Sequence, residues 1–522
     1  MCSLSAHARR STDQDSAGDD LGLFFVSSPL DPVAEPAGQQ HTLDLPSAGG
    51  KVIRGSVLRV GAYAGGMVLG VAGAALMTRH LGAADFGRYV TVTSVIAVAA
   101  GLTEAGLLNI GVREYSVREG ERRERLLRNL LGLRLLVTGA GTVLAIGFSA
   151  VAGYTSEMIL GTLLVGVGLV FTTLQQTVGI PLSAELRLGW LSTLDLLRQL
   201  ATVIGIAALV VAGAGLLPFF AVQVPVALGV LGLTVLLVRE TGSLRPGFIR
   251  TEWASIKDAV LPYATANAVG VLYGYLAIII LSLVSTADET GYFGAAFRVF
   301  LVLAGIPALL VASAFPILAR AARDDHARLA YANQRLWDIS LIVGTGVALA
   351  TIVGAPLAID LIAGSQFEPS VDVLRVQAAA LLPSFVFGVW GFALLALARY
   401  RSILVANLVA LLASAAVTLA LAPSFGAFGA SFATLAGDSC LAIGYGIALM
   451  RRNSEFRVSL ELVPRVALAC GIGACALLIP SVSTAVRLVA ATAAYLVVLI
   501  ALRAIPHEIW EALGFGRRRP AA

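Results

Sequence analysis

The chain has 522 residues, 57% of them hydrophobic and only 13% charged, with a mean hydropathy of +0.85 and a formal charge of +5. Soluble domains carry about 25% charged residues, and a water-soluble fold of this composition would expose far too much apolar surface. The basic residues are spread over short loops, so the excess charge is not a nucleic-acid footprint.

Residues 1–50 hold seven acidic residues against Arg9 and Arg10, among scattered Ser, Pro and Gly, and read as a disordered tail. Leu21 to Val26 is too short for the apolar core of a signal peptide. Apolar stretches follow, each near the roughly 20 residues that span hydrocarbon. They lie at 56–78, 89–110, 131–152, 158–180, 197–216, 218–238, 259–284, 291–314, 337–355, 373–397, 402–421, 425–449, 464–480 and 484–502. On this zigzag 31 of the 37 Lys and Arg residues fall on one side. Arg79, Arg88, Arg375 and Arg487 fall on the other, and Arg59 and Arg298 lie inside stretches. Basic loop residues stay cytoplasmic during insertion, so both termini are expected in the cytoplasm. Trp190, Trp253, Trp337 and Trp510 sit at or near the same ends, where an indole suits the headgroup layer. Residues 112–134 carry seven arginines and read as a solvated amphipathic helix at the anionic inner leaflet.

The segment Leu81-Gly-Ala-Ala-Asp-Phe-Gly-Arg-Tyr after the first span is echoed by Ser285-Thr-Ala-Asp-Glu-Thr-Gly-Tyr-Phe after the seventh. Asp85 and Asp288 are expected to cap the helices that follow. Six spans separate the two motifs, an even number, so the halves share one orientation. The expected fold is an all-α integral membrane protein of about 14 transmembrane helices, in two parallel six-helix lobes plus two C-terminal helices. Its parts are a tail at 1–50, an N-lobe at 51–240, a C-lobe at 241–452, and helices 13–14 with a basic C-terminal tail at 453–522.

Charges inside spans cost about 2.5–3.5 kcal/mol at the helix centre, so each needs a partner or a wet cavity. Asp438 falls near the midplane of span twelve, as an ion-coupling carboxylate or a tie between helices. Arg298 in span eight suits a pyrophosphate, or ties lobe helices together. Arg59 and Glu104 lie at similar depths and form either an intramembrane pair or, for Arg59, part of a cavity wall. Gln175, Gln176, Gln223, Asn267 and Asn407 either meet sugar hydroxyls or join helices. Gly61, Gly65, Gly66, Gly70 and Gly73 crowd the first span at close-packing spacing, which serves tight packing or a bendable helix. All five histidines lie outside the spans, and the four cysteines lack metal-ligand spacing. No metal, cofactor or catalytic constellation is expected.

Several segments together resemble the polysaccharide-biosynthesis flippase family, within the superfamily of multidrug, oligosaccharidyl-lipid and polysaccharide exporters. They are Thr78-Arg-His-Leu-Gly-Ala-Ala-Asp-Phe-Gly-Arg-Tyr, Leu102-Thr-Glu-Ala-Gly-Leu to Val112-Arg-Glu, and Gly291-Tyr-Phe-Gly-Ala-Ala-Phe-Arg. Leu361-Ile-Ala-Gly-Ser-Gln-Phe-Glu-Pro and Pro423-Ser-Phe-Gly-Ala-Phe-Gly-Ala-Ser-Phe-Ala-Thr complete the set. The resemblance implies a flippase that moves an undecaprenyl-linked glycan through a central cavity by alternating access. It includes Arg298. It departs in the seventh helix, where many relatives carry Arg-x-Asp and this chain reads Tyr273-Gly-Tyr-Leu-Ala-Ile. Ion coupling through that helix is therefore not expected. Expected partners are the lipid-linked glycan, membrane lipids, and polymerases or glycosyltransferases of the same pathway, at a bacterial plasma membrane. A cation-coupled multidrug antiporter and a lipid II flippase are alternatives on the same fold. A membrane glycan polymerase is a distant one, since the external loops lack paired acids.

Overall fold

The computed structural model describes residues 46–104, 106–185, 187–239, 245–307, 326–451, 456–478 and 482–504. Met1–Arg54 forms a unit of its own, of which only the helical residues 46–54 are described. Regular structure in Gly55–Ala522 is helical among the described residues. In chain order it comprises α1 (Pro46–Glu104), α2 (Leu107–Val117), α3 (Glu121–Val151), α4 (Ser156–Val178) and α5 (Ile180–Ala184). Then come α6 (Leu188–Val211), α7 (Leu216–Ala221), α8 (Gln223–Val238), α9 (Arg250–Val284) and α10 (Ala287–Ala304). The last are α11 (His326–Ile362), α12 (Ser370–Ala396), α13 (Tyr400–Met450), α14 (Leu462–Ala474) and α15 (Thr484–Ala501).

Ten helices among the described residues are long and apolar enough to cross a membrane. Two of them are too long for one crossing. α1 has 59 residues and α13 has 51, and at about 1.5 Å per residue each far exceeds a bilayer core of roughly 30 Å. Each breaks at a glycine with positive φ: Gly82 at 74° and Gly426 at 55°. A side chain is strained there, and each helix is kinked at that glycine. The expected first span lies in the first arm of α1, the second begins in its other arm and runs past Glu104 into α2, and the eleventh and twelfth fall on the two arms of α13.

Packing relies on small residues and on hydroxyls that return their protons to their own helix, as it must where lipid is as apolar as the core. α3 packs on α4, and α4 on α8. α9 packs on α13, α11 on α12, and α12 on α13. α14 and α15 lie on α11, where the Tyr495 hydroxyl donates to the Ile342 carbonyl at 2.7 Å.

Three local expectations are corrected. Asp288 does not cap α10; Thr286 does, its hydroxyl accepting from the Glu289 amide at 3.3 Å with Glu289 three residues on. Asp85 does not cap either, because its helix resumes just after Gly82; it pairs with Arg88 at 2.8 Å. Residues 112–134 are not one amphipathic helix. Gly120, at φ 53°, splits them between the end of α2 and the start of α3, which continues into the apolar stretch.

Among the described residues, 51–240 and 241–452 meet in two places. Gly101 lies against Val271, and the amides of Gly247 and Ile249 donate to the Arg128 carbonyl at 2.7 Å and the Asn129 side-chain oxygen at 2.9 Å. The other contacts lie around Gly82. The Thr78 hydroxyl donates to the Ile362 carbonyl at 2.9 Å. Arg79 donates to the carbonyls of Asp360 and Leu361, at 2.8 and 2.9 Å, and so caps the C-terminal end of α11, where a cation is favoured. Gln366 donates to the Arg79 carbonyl at 3.1 Å, and Tyr154 shares a 2.8 Å hydrogen bond with Ser282.

Candidate functional site

The main cavity, about 900 Å³, lies between α1, α6 and α10. Glycine makes room on its α1 wall. A Cβ on Gly70 would meet the Gln199 amide at 3.1 Å and one on Gly73 would meet Val203 at 3.1 Å, whereas Gly66 has nothing within 4 Å. The glycine face of α1 therefore packs on α6 and leaves a hollow at Gly66.

Charge enters this hollow from two helices. Arg298 stands eleven residues into α10, about 16 Å along its axis. Its guanidinium lies 5.1 Å from the Phe86 ring centre and 5.8 Å from that of Tyr89. Among the described residues it has no carboxylate partner; the aromatic faces hold the charge instead. Opposite, Asp195 and Arg198 form an ion pair one turn apart on α6, and Gln199 follows. Asp195 is 68% exposed, with its carboxylate largely open to the hollow. Two guanidinium groups against one carboxylate leave the cavity with a surplus positive charge. An arginine fork held clear of an acid suits a phosphate or diphosphate.

A smaller cavity of about 350 Å³ lies between α9, α10, α12 and α13. It is lined by Tyr273, Asn407, Thr434, Tyr445 and Asp438 among others. Asp438 is only 3% exposed. One carboxylate oxygen accepts from the Tyr273 hydroxyl, and the other has no hydrogen-bond partner. Asn407 is fully engaged, donating to the Ala266 carbonyl at 3.0 Å and accepting from Tyr445 at 3.0 Å. Tyr273 stands in the segment where the family resemblance leads one to expect a charged pair, and it faces the buried carboxylate instead.

The other expected site residues scatter. The Arg59 side chain lies outside the described residues. Glu104 has an arginine partner, but the one described is Arg134, at 2.7 Å. Arg134 is 1% exposed and stands thirteen residues inside α3, not in a loop as the charge count had it. Gln175 is buried and turns to α8, donating to Thr234 at 3.3 Å, which favours the helix-joining alternative for it. Gln176 beside it and Asn267 on α9 are half-buried. Sequence reading missed Asp195, Arg198, Gln199 and Arg134. Arg134, Arg198 and Gln199 fall in the first four residues of their expected spans and Asp195 just before one, so all four read as span ends. The run Leu188-Gly-Trp-Leu before Asp195 was the available signal that α6 begins earlier.

The profile of a family described as polysaccharide biosynthesis protein matches residues 76–372, more than half of the chain. No curated protein matches it. Among solved structures the chain is similar to a lipid II flippase MurJ in an inward closed conformation, with a TM-score of 0.73 at 13% identity. That match covers 86% of this chain and 99% of the other. It is also similar to a multidrug resistance MATE family transporter of the MOP superfamily in an inward-facing conformation. There the TM-score is 0.59 at 13% identity, over 75% of this chain and 95% of that one. An outward-facing conformation of a transporter so described gives 0.51 at 14% identity, over 76% and 97%. The fold is therefore that of the MurJ and MATE transporters.

Proposed function

The chain belongs to the polysaccharide biosynthesis protein family, and from that premise we propose that it flips a lipid-linked oligosaccharide or polysaccharide precursor of the undecaprenyl type across a bacterial plasma membrane. The observation that carries this reading is the cavity of about 900 Å³ in which Arg298 is held on aromatic faces with no acid partner among the described residues. A hydrated diphosphate head cannot cross hydrocarbon unaided, and a membrane-embedded cavity with a guanidinium not neutralised by an acid is what such a head needs. The prenyl tail stays in lipid. The 51–240 and 241–452 halves act as two lobes, with the Gly82 end facing out, both termini in the cytoplasm, and α14 and α15 appended. The Thr78, Arg79 and Tyr154 contacts then close the outside, and transport requires them to part. The protein works as a transporter, not an enzyme, and receives its cargo from glycosyltransferases or passes it to a polymerase.

Deleting the protein should make the lipid-linked glycan accumulate on the cytoplasmic face, read by its accessibility to an impermeant periodate or lectin probe. Normal outward-facing levels after a clean deletion would overturn the proposal. A second reading, a cation-coupled antiporter of small molecules, is favoured by Asp438, whose unpartnered oxygen sits in a cavity of about 350 Å³. Sodium- or proton-driven efflux of organic cations by reconstituted protein, with no effect of polyprenyl phosphates, would decide for it.

A further inference from the structure

A third cavity, of about 380 Å³, lies among α1, α4, α6 and α8 and shares Arg198 and Gln199 with the main one. Those two side chains are a common wall between the two spaces. The lining of this inner cavity includes no carboxylate. Its polar residues besides the shared pair are Thr93, Thr172, Thr202 and Gln223.

The hydrogen-bonding state of these groups defines the ligand. The Thr93 hydroxyl donates to the Tyr89 carbonyl at 2.9 Å, Thr172 to Gly168 at 2.9 Å, and Thr202 to Arg198 at 2.9 Å. Each hydroxyl has spent its one proton on its own helix and keeps only lone pairs for the cavity. Gln199 and Gln223 have no hydrogen-bond partner among the described residues, and each offers both a carbonyl and an amide. The part of the cavity away from the Arg198 guanidinium thus presents mostly acceptors, a few amide donors and no negative charge. Its complement is a neutral molecule rich in O–H donors. An apolar drug would leave these groups unsatisfied, and an anion would face the threonine lone pairs.

We propose that this inner cavity is a sugar subsite, which takes one neutral glycosyl residue of the cargo while the phosphates stay with Arg298 and Arg198. The inference rests on the lipid-linked glycan reading of the main cavity and names which part of the head group is recognised and where. Arg198 is the hinge between the two: it reaches both spaces, and its pairing with Asp195 yields when a cargo phosphate replaces that carboxylate.

The test compares two probes on purified full-length protein, undecaprenyl phosphate and undecaprenyl phosphate bearing a single neutral sugar. Thr172→Val and Gln223→Leu are near-isosteric and remove polar atoms without adding bulk. The wild-type protein should bind the glycosylated lipid more tightly. The double variant should lose about tenfold of that advantage, with binding of undecaprenyl phosphate at the wild-type level. A wild-type protein that binds undecaprenyl phosphate but gains nothing from the sugar overturns the subsite and leaves the flippase reading standing. So does a double variant that keeps the full sugar advantage. A protein that ignores both lipids overturns the flippase reading, and the subsite with it.

Discussion

Gly87 and Gly291 occupy matching places in the two repeat motifs, and each lies against the helix that carries the other. A Cβ on Gly87 would come within 1.9 Å of the Ala287 carbonyl oxygen, and one on Gly291 within 2.1 Å of that of Ala83. Ala83 and Ala287 each precede their own glycine by four residues. One turn on, a Cβ on Gly294 would come within 2.9 Å of Cγ1 of Val90, its counterpart at the same spacing. Reciprocal contact of like with like is what a two-fold relation between parallel halves produces at its axis. The repeat seen faintly in sequence is therefore expressed as a close crossing of the second arm of α1 with α10.

Widening this crossing should favour the state in which the Gly82 end is open. In Gly87→Ala the new methyl meets backbone, which cannot rotate away, and overpacking of this kind costs about 1–3 kcal/mol. The closed state should lose that amount. The check is alkylation of a cysteine at Val299, in the main cavity, by an impermeant reagent from outside, with the native cysteines replaced. The rate should rise about fivefold or more, and an unchanged rate would show that the crossing does not separate during opening.

The buried pair of Arg134 and Glu104 should respond unequally to loss of either partner. Arg134 is 1% exposed and its second amino group already has no partner, whereas Glu104 is 36% exposed. Glu104→Ala strands a buried cation and should cost about 3–5 kcal/mol. Arg134→Met leaves a carboxylate that can still reach water, and should cost less than about 2 kcal/mol. The double variant should match Arg134→Met, because the charge that does the damage has gone. Thermal unfolding in detergent measures all three, and equal losses from the two single changes would contradict the asymmetry.

Much of this architecture was legible because the bilayer imposes a length on every crossing and a sign on every loop. The expected spans fall on either side of the breaks at Gly82 and Gly426 to within a few residues, although 89–110 runs past the end of α1 at Glu104. Charge was the place where that logic failed. Asp195, Arg198 and Arg134 read as flanking residues because hydropathy cannot separate a charge at a membrane surface from one that lines a wet hollow or meets a buried partner. Partnerships were also beyond reach. Nothing in the order of residues says that Glu104 meets Arg134, or that Tyr273 faces Asp438 from 165 positions away. Those follow from which helix faces converge, which only the packed structure shows.

Filling the hollow at Gly66 should stop transport without harming the fold. A Cβ there would meet nothing within 4 Å, whereas one on Gly70 would crowd the Gln199 amide at 3.1 Å. Gly66→Leu should therefore keep wild-type thermal stability and cut flipping of a fluorescent lipid-linked glycan in proteoliposomes by about tenfold or more. Gly70→Leu should lose stability as well, since it forces the α1 and α6 faces apart at a cost of about 1–3 kcal/mol. Full activity in Gly66→Leu would mean that cargo does not use this space.

Asp438→Asn separates coupling from packing at the second cavity. A carboxylate this deep in a span is expensive to insert, by about 2.5–3.5 kcal/mol, and it persists with one oxygen unpartnered. Asparagine has the same shape, and its carbonyl still accepts from the Tyr273 hydroxyl. What it lacks is the charge. If the carboxylate only ties α13 to α9, the variant should transport as the wild type does, with the same response to ion gradients. If a cation binds there, transport in proteoliposomes should lose its stimulation by an imposed sodium or proton gradient, about tenfold for a coupling of ordinary size, while gradient-free flipping continues. Tyr273→Phe supplies the contrast, because it leaves the charge and removes the hydrogen bond. Coupling should survive in that variant with altered ion affinity. The coupling reading requires the two variants to behave differently, and a matching loss of stability in both, with gradient response intact, would reduce Asp438 to a helix tie.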